Sequence, residues 1–182
     1  MKYICAVLIA AILLPGCAST GGGSGTGLSL LEAVEQSAEK IAEELPAGSR
    51  VAIIAFESEN DNLSDFIMEE ITGALVERGI EVADRQNLEY VYKELEFQMT
   101  GDVNDETAQA IGKFLGAQVV ITGQLQNLGG TYRYRTSTIH VEKATRDSVT
   151  RLTVRNDSET QNMITSLASQ TTAVRTAKYS VS

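Results

Sequence analysis

The chain has 182 residues and a formal net charge of −9 at pH 7. This length is enough for one domain with a proper hydrophobic core. The acidic excess argues against nucleic acid as a partner, because its phosphates require a basic surface.

Residues 1–16 are predicted to be a signal peptide. Lys2 gives the N-terminus a positive charge, and the run from Tyr3 to Leu14 is apolar and uncharged. That run has the length of a signal-peptide core and falls short of the about 20 residues that a membrane-spanning helix needs. It leads into Leu14-Pro15-Gly16-Cys17-Ala18, which resembles the lipobox of bacterial lipoproteins.

The lipobox resemblance implies cleavage after Gly16, diacylglycerol on the sulfur of Cys17 and an acyl chain on its new amine. Three acyl chains would anchor the protein firmly to a membrane. Because Ala18 rather than Asp follows the cysteine, enterobacterial sorting rules favour the periplasmic face of the outer membrane. The alternative is an ordinary signal peptide, or a buried helix, with a chance cysteine. Cys5 leaves with the signal peptide, so no disulfide is expected.

Residues 17–27 are expected to form the lipidated cysteine and a flexible tether. The tether sequence, STGGGSGTG over 19–27, is typical of a flexible coil, and nine such residues reach about 17 Å. The alternative is a phosphate-binding loop. That alternative lacks both the preceding strand and the Gly-Lys-Ser/Thr ending of such loops.

An amphipathic helix is predicted over 28–45, within a segment that extends to Gly48. Ser29 and Glu32 form a capping-box pattern at its start, and Pro46 stops it. This helix is expected to pack its apolar face on its own domain, rather than on a neighbouring subunit, which is the alternative. Its apolar residues recur every three or four positions, at Leu28, Leu31, Val34, Ala38, Ile41 and Leu45.

Residues 49–157 are predicted to form an α/β domain with the element order β-α-β-α-α-β-β-β. The runs over 50–58 and 117–125 are nearly continuous and apolar, which indicates neighbouring strands buried on both faces. We expect a mixed parallel and antiparallel sheet with helices packed on it, ending in a C-terminal antiparallel meander. The strands are expected at 50–58, 80–84, 117–125, 131–141 and 149–155, and the helices at 62–79, 87–99 and 105–115.

Local signals set the ends of the helices in this domain. Asn62 or Ser64 is expected to cap the first helix, and Asn104 or Asp105 the third. Gly79 fits the left-handed position that follows a helix.

Two turns are predicted in the meander. Gly129-Gly130 is a hairpin signal, and Asp147-Ser148 is expected to form the next turn. The strand between them alternates, with Tyr132, Tyr134 and Thr136 on one face and Arg133, Arg135 and Ser137 on the other.

Residues 158–182 are predicted to form a C-terminal helix and a polar tail. The helix is expected over 158–169, with Ser158 and Gln161 as its capping box. The last dozen residues are rich in Ser and Thr. They fit either a strand or a loose tail.

A family resemblance is carried by six motifs: VAIIAF at 51–56, LVERG at 75–79, ADRQNL at 83–88, MTG at 99–101, ETAQAIG at 106–112 and LGAQVVITG at 115–123. Together they resemble the periplasmic domain of the CsgG-type curli-secretion lipoprotein family, over about residues 50–128 and more weakly to 155. The same broad fold is shared with lipoprotein activators of penicillin-binding proteins and with flagellar outer-membrane lipoproteins. The resemblance implies a periplasmic α/β domain that acts by protein–protein association, and ring assembly is known in this family.

The motif residues are expected to have structural roles. Arg85 can pair with a carboxylate and hold the next helix, and Gly112 lets a helix approach its neighbour closely. Gly116 closes that helix, and Gly123 permits a bulge or a close backbone contact.

One part of the resemblance departs from the curli-secretion channels, which build a barrel from two long transmembrane hairpins per subunit. A membrane strand needs an apolar lipid-facing side, and the hairpin over 131–155 has arginines, which would be costly in lipid. We therefore expect the periplasmic domain without the barrel.

Charge is divided unevenly along the chain. Residues 28–116 carry 20 acidic and 6 basic side chains, a net −14, whereas residues 131–155 carry 6 basic and 2 acidic side chains, a net +4. This asymmetry predicts an interaction patch on the hairpin, with an ordinary exposed sheet face as the alternative. The predicted patch consists of Arg133, Arg135, Arg151 and Arg155.

No catalytic, cofactor-binding or metal-binding residues are predicted. His140 is the single histidine and lies on an alternating strand, and no nucleophile motif surrounds any Ser or Cys. Glu57, Glu59 and Asp61 follow the first strand and could hold a divalent cation, but a solvated acidic loop is the favoured interpretation.

The sequence therefore predicts a lipid-anchored periplasmic scaffold or assembly factor of the cell envelope, and not an enzyme. Its partner would be another envelope protein or further copies of itself, with no nucleic acid and no small-molecule substrate. One alternative is a lipoprotein activator of a peptidoglycan synthase, a penicillin-binding protein. The other is a small curli-type secretion component.

Overall fold

The computed structural model describes residues 26–84, 86, 88, 90, 91, 104–143 and 145–179, with the backbone alone over 170–179. The predicted signal peptide, Cys17 and the tether through residue 25 lie outside this part of the chain. Most of the helix predicted over 87–99 also lies outside it.

Helices and strands succeed one another nearly as predicted. The helices are α1 (Leu30–Glu44), α2 (Asp61–Glu77), α3 (Asp105–Phe114) and α4 (Ser158–Tyr179). The strands are β1 (Arg50–Glu57), β2 (Glu81–Val82), β3 (Val119–Asn127), β4 (Thr131–His140) and β5 (Thr145–Arg155). Gln86, Leu88, Tyr90 and Val91 are also helical, in agreement with the helix predicted over 87–99.

The five strands form one mixed sheet in the order β2-β1-β3-β4-β5. Strand β1 runs parallel to β2 and β3, and β3, β4 and β5 are antiparallel neighbours. The predicted α/β class, the pairing of the two apolar strands and the C-terminal meander are all confirmed.

Helices cover both faces of the sheet because the central strands are apolar on both sides. Helices α1, α2 and α4 share one core cluster with Val51 and Ile53 of β1. Helix α3 and the helical residues Leu88 and Val91 share a second cluster with Ala52 and Ile54. Alternate side chains of one strand therefore hold two helical layers together.

Helix α1 confirms its predicted capping box but begins two residues late. The Ser29 N–H donates to Glu32 Oε2 at 2.7 Å, and the Glu32 N–H donates to Ser29 Oγ at 3.2 Å. Leu31, predicted on the apolar stripe, is 41% exposed. That position is wrong because Leu30 is buried in place of Leu31, but the rest of the predicted stripe is confirmed: Val34, Ala38 and Ile41 are buried, and Leu28 and Leu45 are partly buried.

The cap of α2 is Asn60, so the predicted Asn62 or Ser64 is wrong. Asn60 Oδ1 accepts a hydrogen bond from the Leu63 N–H at 2.9 Å. An N-cap must lie about three residues before the amide that it binds, and Leu63 is fully buried, which fixes the start of the helix. Gly79 has φ +76°, as expected for the residue after the helix end.

Of the two remaining predicted helix caps, one is confirmed and one is wrong. Asn104 caps α3, as predicted, by accepting from the Thr107 N–H at 2.8 Å. Asp157, rather than Ser158, caps α4, because its Oδ1 accepts from the Thr160 N–H at 2.9 Å. Helix α4 also continues to Tyr179, so residues 171–179 are neither strand nor tail.

The first predicted hairpin turn is correct and the second is wrong. Gly129 has φ +88° between β3 and β4. Strands β4 and β5 stay paired as far as His140 and Thr145, so the second turn lies at 141–143 and Asp147-Ser148 lies inside β5. Ladder pairing overrides the local turn signal there, and Asp147 is accommodated as a β-bulge.

Two glycines allow close packing, as predicted. A Cβ at Gly112 would lie 2.5 Å from a methyl group of Val141 and 2.6 Å from one of Val120. A Cβ at Gly123 would lie 2.2 Å from the ring of Phe56. These positions let α3 approach the sheet and let the Phe56 ring pack closely against β3.

Candidate interaction surface

Three of the four predicted patch residues form a surface that we call the arginine face: Arg133 and Arg135 of β4 and Arg151 of β5. Tyr132 and Tyr134 alternate with the first two and are buried in the core under α1 and α2. The arginines therefore point to the opposite face of the sheet. Arg133 and Arg151 are exposed and Arg135 is half-buried.

Arg135 and Arg151 are direct cross-strand partners. The backbone oxygen of Thr153 and the N–H of Arg155 bond outward to Leu28, at 2.9 and 2.8 Å. Alternation then places the backbone groups of Arg151 outward too, so Arg135 and Arg151 form a non-hydrogen-bonded pair. Such pairs have Cα atoms about 4.5 Å apart, which brings two like charges close together.

A polar row crosses four strands at this level of the sheet. Glu57 of β1 pairs with Gln124 of β3, which pairs with Arg135 and through it with Arg151. The Gln124 side chain donates to Glu57 Oε2 at 3.1 Å. Glu57 lies two strands from Arg135, with about 10 Å between their backbones, and the described residues contain no ion pair between them.

The guanidinium of Arg135 is incompletely satisfied. Its Nε atom is buried and has no hydrogen-bond partner within the described residues. A buried donor without a partner costs about 1–3 kcal/mol.

Arg155, the fourth predicted patch residue, is used inside the domain. Its Nε donates to Asp157 Oδ2 at 3.0 Å, and its Nη1 lies 3.2 Å from the Gly27 oxygen and 3.9 Å from Glu32 Oε2. The structure therefore separates Arg155 from the other three arginines. It joins the entry of the tether, the start of α1 and the start of α4.

The two carboxylates around Arg155 have lowered pKa values. The pKa of Asp157 is lowered chiefly by the hydrogen bond from the Thr160 N–H and also by Arg155. The pKa of Glu32 is lowered chiefly by the Ser29 N–H, with a smaller contribution from Arg155. Both groups therefore stay ionised around Arg155.

The tether enters the domain along the outer edge of β5. Leu28 forms an isolated parallel bridge to Val154. Gly27 has φ +136°, and a Cβ there would lie 2.9 Å from the Thr153 oxygen. Only glycine fits this approach without strain.

A buried hydroxyl pair supports the opposite side of β4. Tyr134 OH and Ser37 Oγ are 2.9 Å apart, and Ser37 Oγ also donates to the Val34 oxygen at 2.9 Å. Both side chains are fully buried, and burial raises the pKa of Tyr134. The pair fixes α1 over β4, with the arginines directly behind it.

Two of the three acidic residues at the end of β1, Glu57 and Glu59, are held by side-chain amides of β3. Asn127 donates to Glu59 Oε1 at 2.7 Å, just as Gln124 donates to Glu57. Asp61 is the first residue of α2. No group of three His, Cys, Asp or Glu within the described ranges could hold a metal ion.

His140 lies at the end of β4, opposite Thr145, and is half-buried. Its Nδ1 has no hydrogen-bond partner in the described part of the chain. The residue lies apart from the arginine face.

Three contacts that position the surface are not among the sequence predictions: the Leu28–Val154 bridge, the Tyr134–Ser37 pair and the Arg146–Asp105 pair. Arg146 Nη2 donates to Asp105 Oδ1 at 2.6 Å, which ties β5 to the start of α3. All three join residues that are distant in sequence, so no local pattern signals them.

Across the described ranges, every helix is too short or too polar to cross a membrane.

Comparisons with known proteins support the fold. No family model matches the chain, and no curated protein matches its sequence. The LpoB C-terminal domain from Salmonella enterica matches with a TM-score of 0.61 and 14% identity, over 71% of this chain and 100% of that one. The corresponding Escherichia coli domain gives 0.60 and 13%, with the same coverage.

The NMR structure of E. coli LpoB matches over 86% of this chain and 83% of that one, with a TM-score of 0.58 and 12% identity. At these identities the likeness shows the fold alone. It supports the broad α/β fold named in the sequence resemblance. It does not support the narrower assignment to the CsgG-type family.

Proposed function

We propose that this chain is a lipoprotein, held by lipid on Cys17 at the periplasmic face of the outer membrane, that activates a peptidoglycan synthase by binding it. The synthase would be a penicillin-binding protein. The chain itself would catalyse nothing and would need no cofactor.

The fold is the observation that carries this proposal. Activators of penicillin-binding proteins are one of the lipoprotein groups that the sequence resembles, and structures of LpoB are among the solved structures that match. The curli-secretion alternative has no comparable support. It would also require arginines to face lipid on a membrane strand.

The arginine face supplies a binding surface that suits an acidic protein. Arg133 and Arg151 are exposed and form no ion pair within the described residues. Guanidinium groups form paired hydrogen bonds with carboxylates, which gives both orientation and energy. We propose that these three residues contact the synthase.

The test is crosslinking in cells followed by mass spectrometry. A photo-crosslinking amino acid at Thr153, beside the arginine face, should capture a penicillin-binding protein. The same amino acid at Glu43, on the exposed side of α1, is the matched control and should not. Capture of other proteins alone at Thr153 would refute the activator proposal.

Self-association into an envelope scaffold is the second candidate. Its support is the separation of charge across the sheet, with the acidic exposed sides of α1 and α2 on one face and the arginines on the other. Such a surface favours head-to-tail contact between copies. The native mass of the mature chain distinguishes the two: a monomer supports the activator and a ring supports the scaffold.

A further inference from the structure

The outer edge of β5 contains a short run of unpaired backbone groups. Val149, Arg151 and Thr153 alternate with residues that bond to β4, so their N–H groups point away from the sheet. Only the Thr153 oxygen in this run has a partner, the Leu28 N–H. The N–H groups of all three residues and the oxygens of Val149 and Arg151 have none among the described residues.

Two structural features close this run at its ends. Leu28 pairs with the edge at Val154. The bulge at Asp147 breaks the ladder at the other end, where Thr138 pairs with Ser148 and Ile139 with Arg146. Between them, Ser148–Thr153 leaves a slot about 20 Å long, which fits an extended segment of about six residues.

Leu28 shows that this edge accepts another strand. Its bridge to Val154 uses two main-chain hydrogen bonds, both shorter than 3 Å. The chain before Leu28 is the Gly/Ser tether, whose composition is poorly suited to continue a strand. Among the described residues, none forms main-chain hydrogen bonds with the rest of this edge.

The arginine face determines which segment fits. A strand added to β5 would extend the row of Glu57, Gln124, Arg135 and Arg151 by one position, directly beside Arg151. Carboxylates there would lie beside the exposed guanidinium of Arg151 and could pair with it. Charge complementarity selects acidic residues at alternate positions.

We propose that an extended, acidic segment of a partner protein adds as a sixth strand to β5 in the slot Ser148–Thr153. This inference rests on the proposed function, because it names how the activator would hold its synthase. Main-chain hydrogen bonds would provide the affinity, and the arginine face would provide the selectivity.

The alternative is that the edge of β5 is protected against pairing with any other strand. Charged side chains and bulges are common on edge strands, where they prevent unwanted pairing. A protected edge would bind no extended peptide of either charge.

The test uses hydrogen exchange of the mature chain, read at single residues, with two synthetic peptides as probes. One alternates threonine with glutamate and the other threonine with lysine, each over eight residues. The glutamate peptide should slow exchange at least tenfold at the amides of Val149, Arg151 and Thr153. The intervening amides of Thr150, Leu152 and Val154 should change little, because they already bond to β4.

The lysine peptide should slow none of these amides. Equal protection by both peptides, or binding of the glutamate peptide without the alternating pattern, would overturn the inference. So would an absence of binding at millimolar concentration.

A substitution gives a second, independent measurement. Val149→Pro removes an outward N–H that the sheet does not use, a position where edge strands tolerate proline. It should weaken binding of the glutamate peptide at least tenfold while the thermal midpoint stays near that of the parent. If this variant unfolds, the exchange pattern of the parent still decides the question.

Failure of this inference is distinguishable from failure of the proposed function. Stimulation of a synthase without protection of the edge amides would refute the added strand alone. Protection by the acidic peptide without stimulation of any penicillin-binding protein would refute the activator role alone.

Discussion

Arg135 of β4 and Arg151 of β5 face each other directly in a non-hydrogen-bonded pair of an antiparallel ladder. Like charges in this position destabilise a sheet, by an amount that varies between about 0.2 and 1 kcal/mol. The fold therefore keeps an arrangement that costs stability. The proposed binding surface for carboxylates would give that cost a function.

Replacing Arg151 by Thr should make the domain more stable and a weaker binder. Removing one of the two like charges should raise the free energy of unfolding by about 0.2–1 kcal/mol, as measured by urea denaturation. Arg133→Thr is the matched control, because Arg133 faces Thr153 and not another arginine. Equal stabilisation in both variants would show that net charge, not the cross-strand pair, is responsible.

The buried hydroxyl pair predicts an unequal effect of two substitutions. Ser37→Ala leaves Tyr134 OH buried without a partner and should cost about 1–3 kcal/mol. Tyr134→Phe should cost less, about 0.5–1.5 kcal/mol, because Ser37 still donates to the Val34 oxygen. Chemical denaturation of both variants measures the order, and the reverse order would contradict the hydrogen-bond assignment.

Gly123→Ala should destabilise the core by about 1–3 kcal/mol, because the new methyl group would overlap the ring of Phe56. Phe56 is itself buried and packs on Tyr134, with ring centroids 5.5 Å apart. Gly130→Ala is the control, since nothing lies within 4 Å of its added Cβ. Thermal unfolding of the two variants should differ clearly.

Cys17→Ser should abolish incorporation of radiolabelled palmitate and release the protein from the membrane fraction. Cys5→Ser is the matched control, because that cysteine would be removed with the signal peptide. Normal labelling of the Cys17 variant, or loss of labelling in the Cys5 variant, would refute the predicted anchor.

The features of the fold that the sequence predicted correctly follow from local patterns of residue spacing and hydrophobicity. The Ser29–Glu32 capping box and the alternation of Tyr132, Arg133, Tyr134 and Arg135 follow from spacing alone, and the structure contains both. The apolar runs at β1 and β3 likewise indicated two buried neighbours, because only central strands are apolar on both faces.

The predictions that were wrong concern residues whose position depends on contacts with residues distant in sequence. Arg155 alternates as a surface residue should, but Gly27, Glu32 and Asp157 surround it in the folded chain. Asp147-Ser148 has turn chemistry, yet the pairing of β4 with β5 continues past it. Leu31 fits an apolar stripe as well as Leu30 does, and packing against the sheet selects Leu30.

The activator role is tested most directly by the rate at which a purified penicillin-binding protein of the same cell polymerises glycan strands. The mature lipoprotein should raise that rate, and the double variant Arg133→Glu/Arg151→Glu should not. Arg50→Glu/Lys113→Glu makes the same change in net charge away from the arginine face and should stimulate like the parent. Equal stimulation by the Arg133/Arg151 variant, or no stimulation by the parent, would contradict the account.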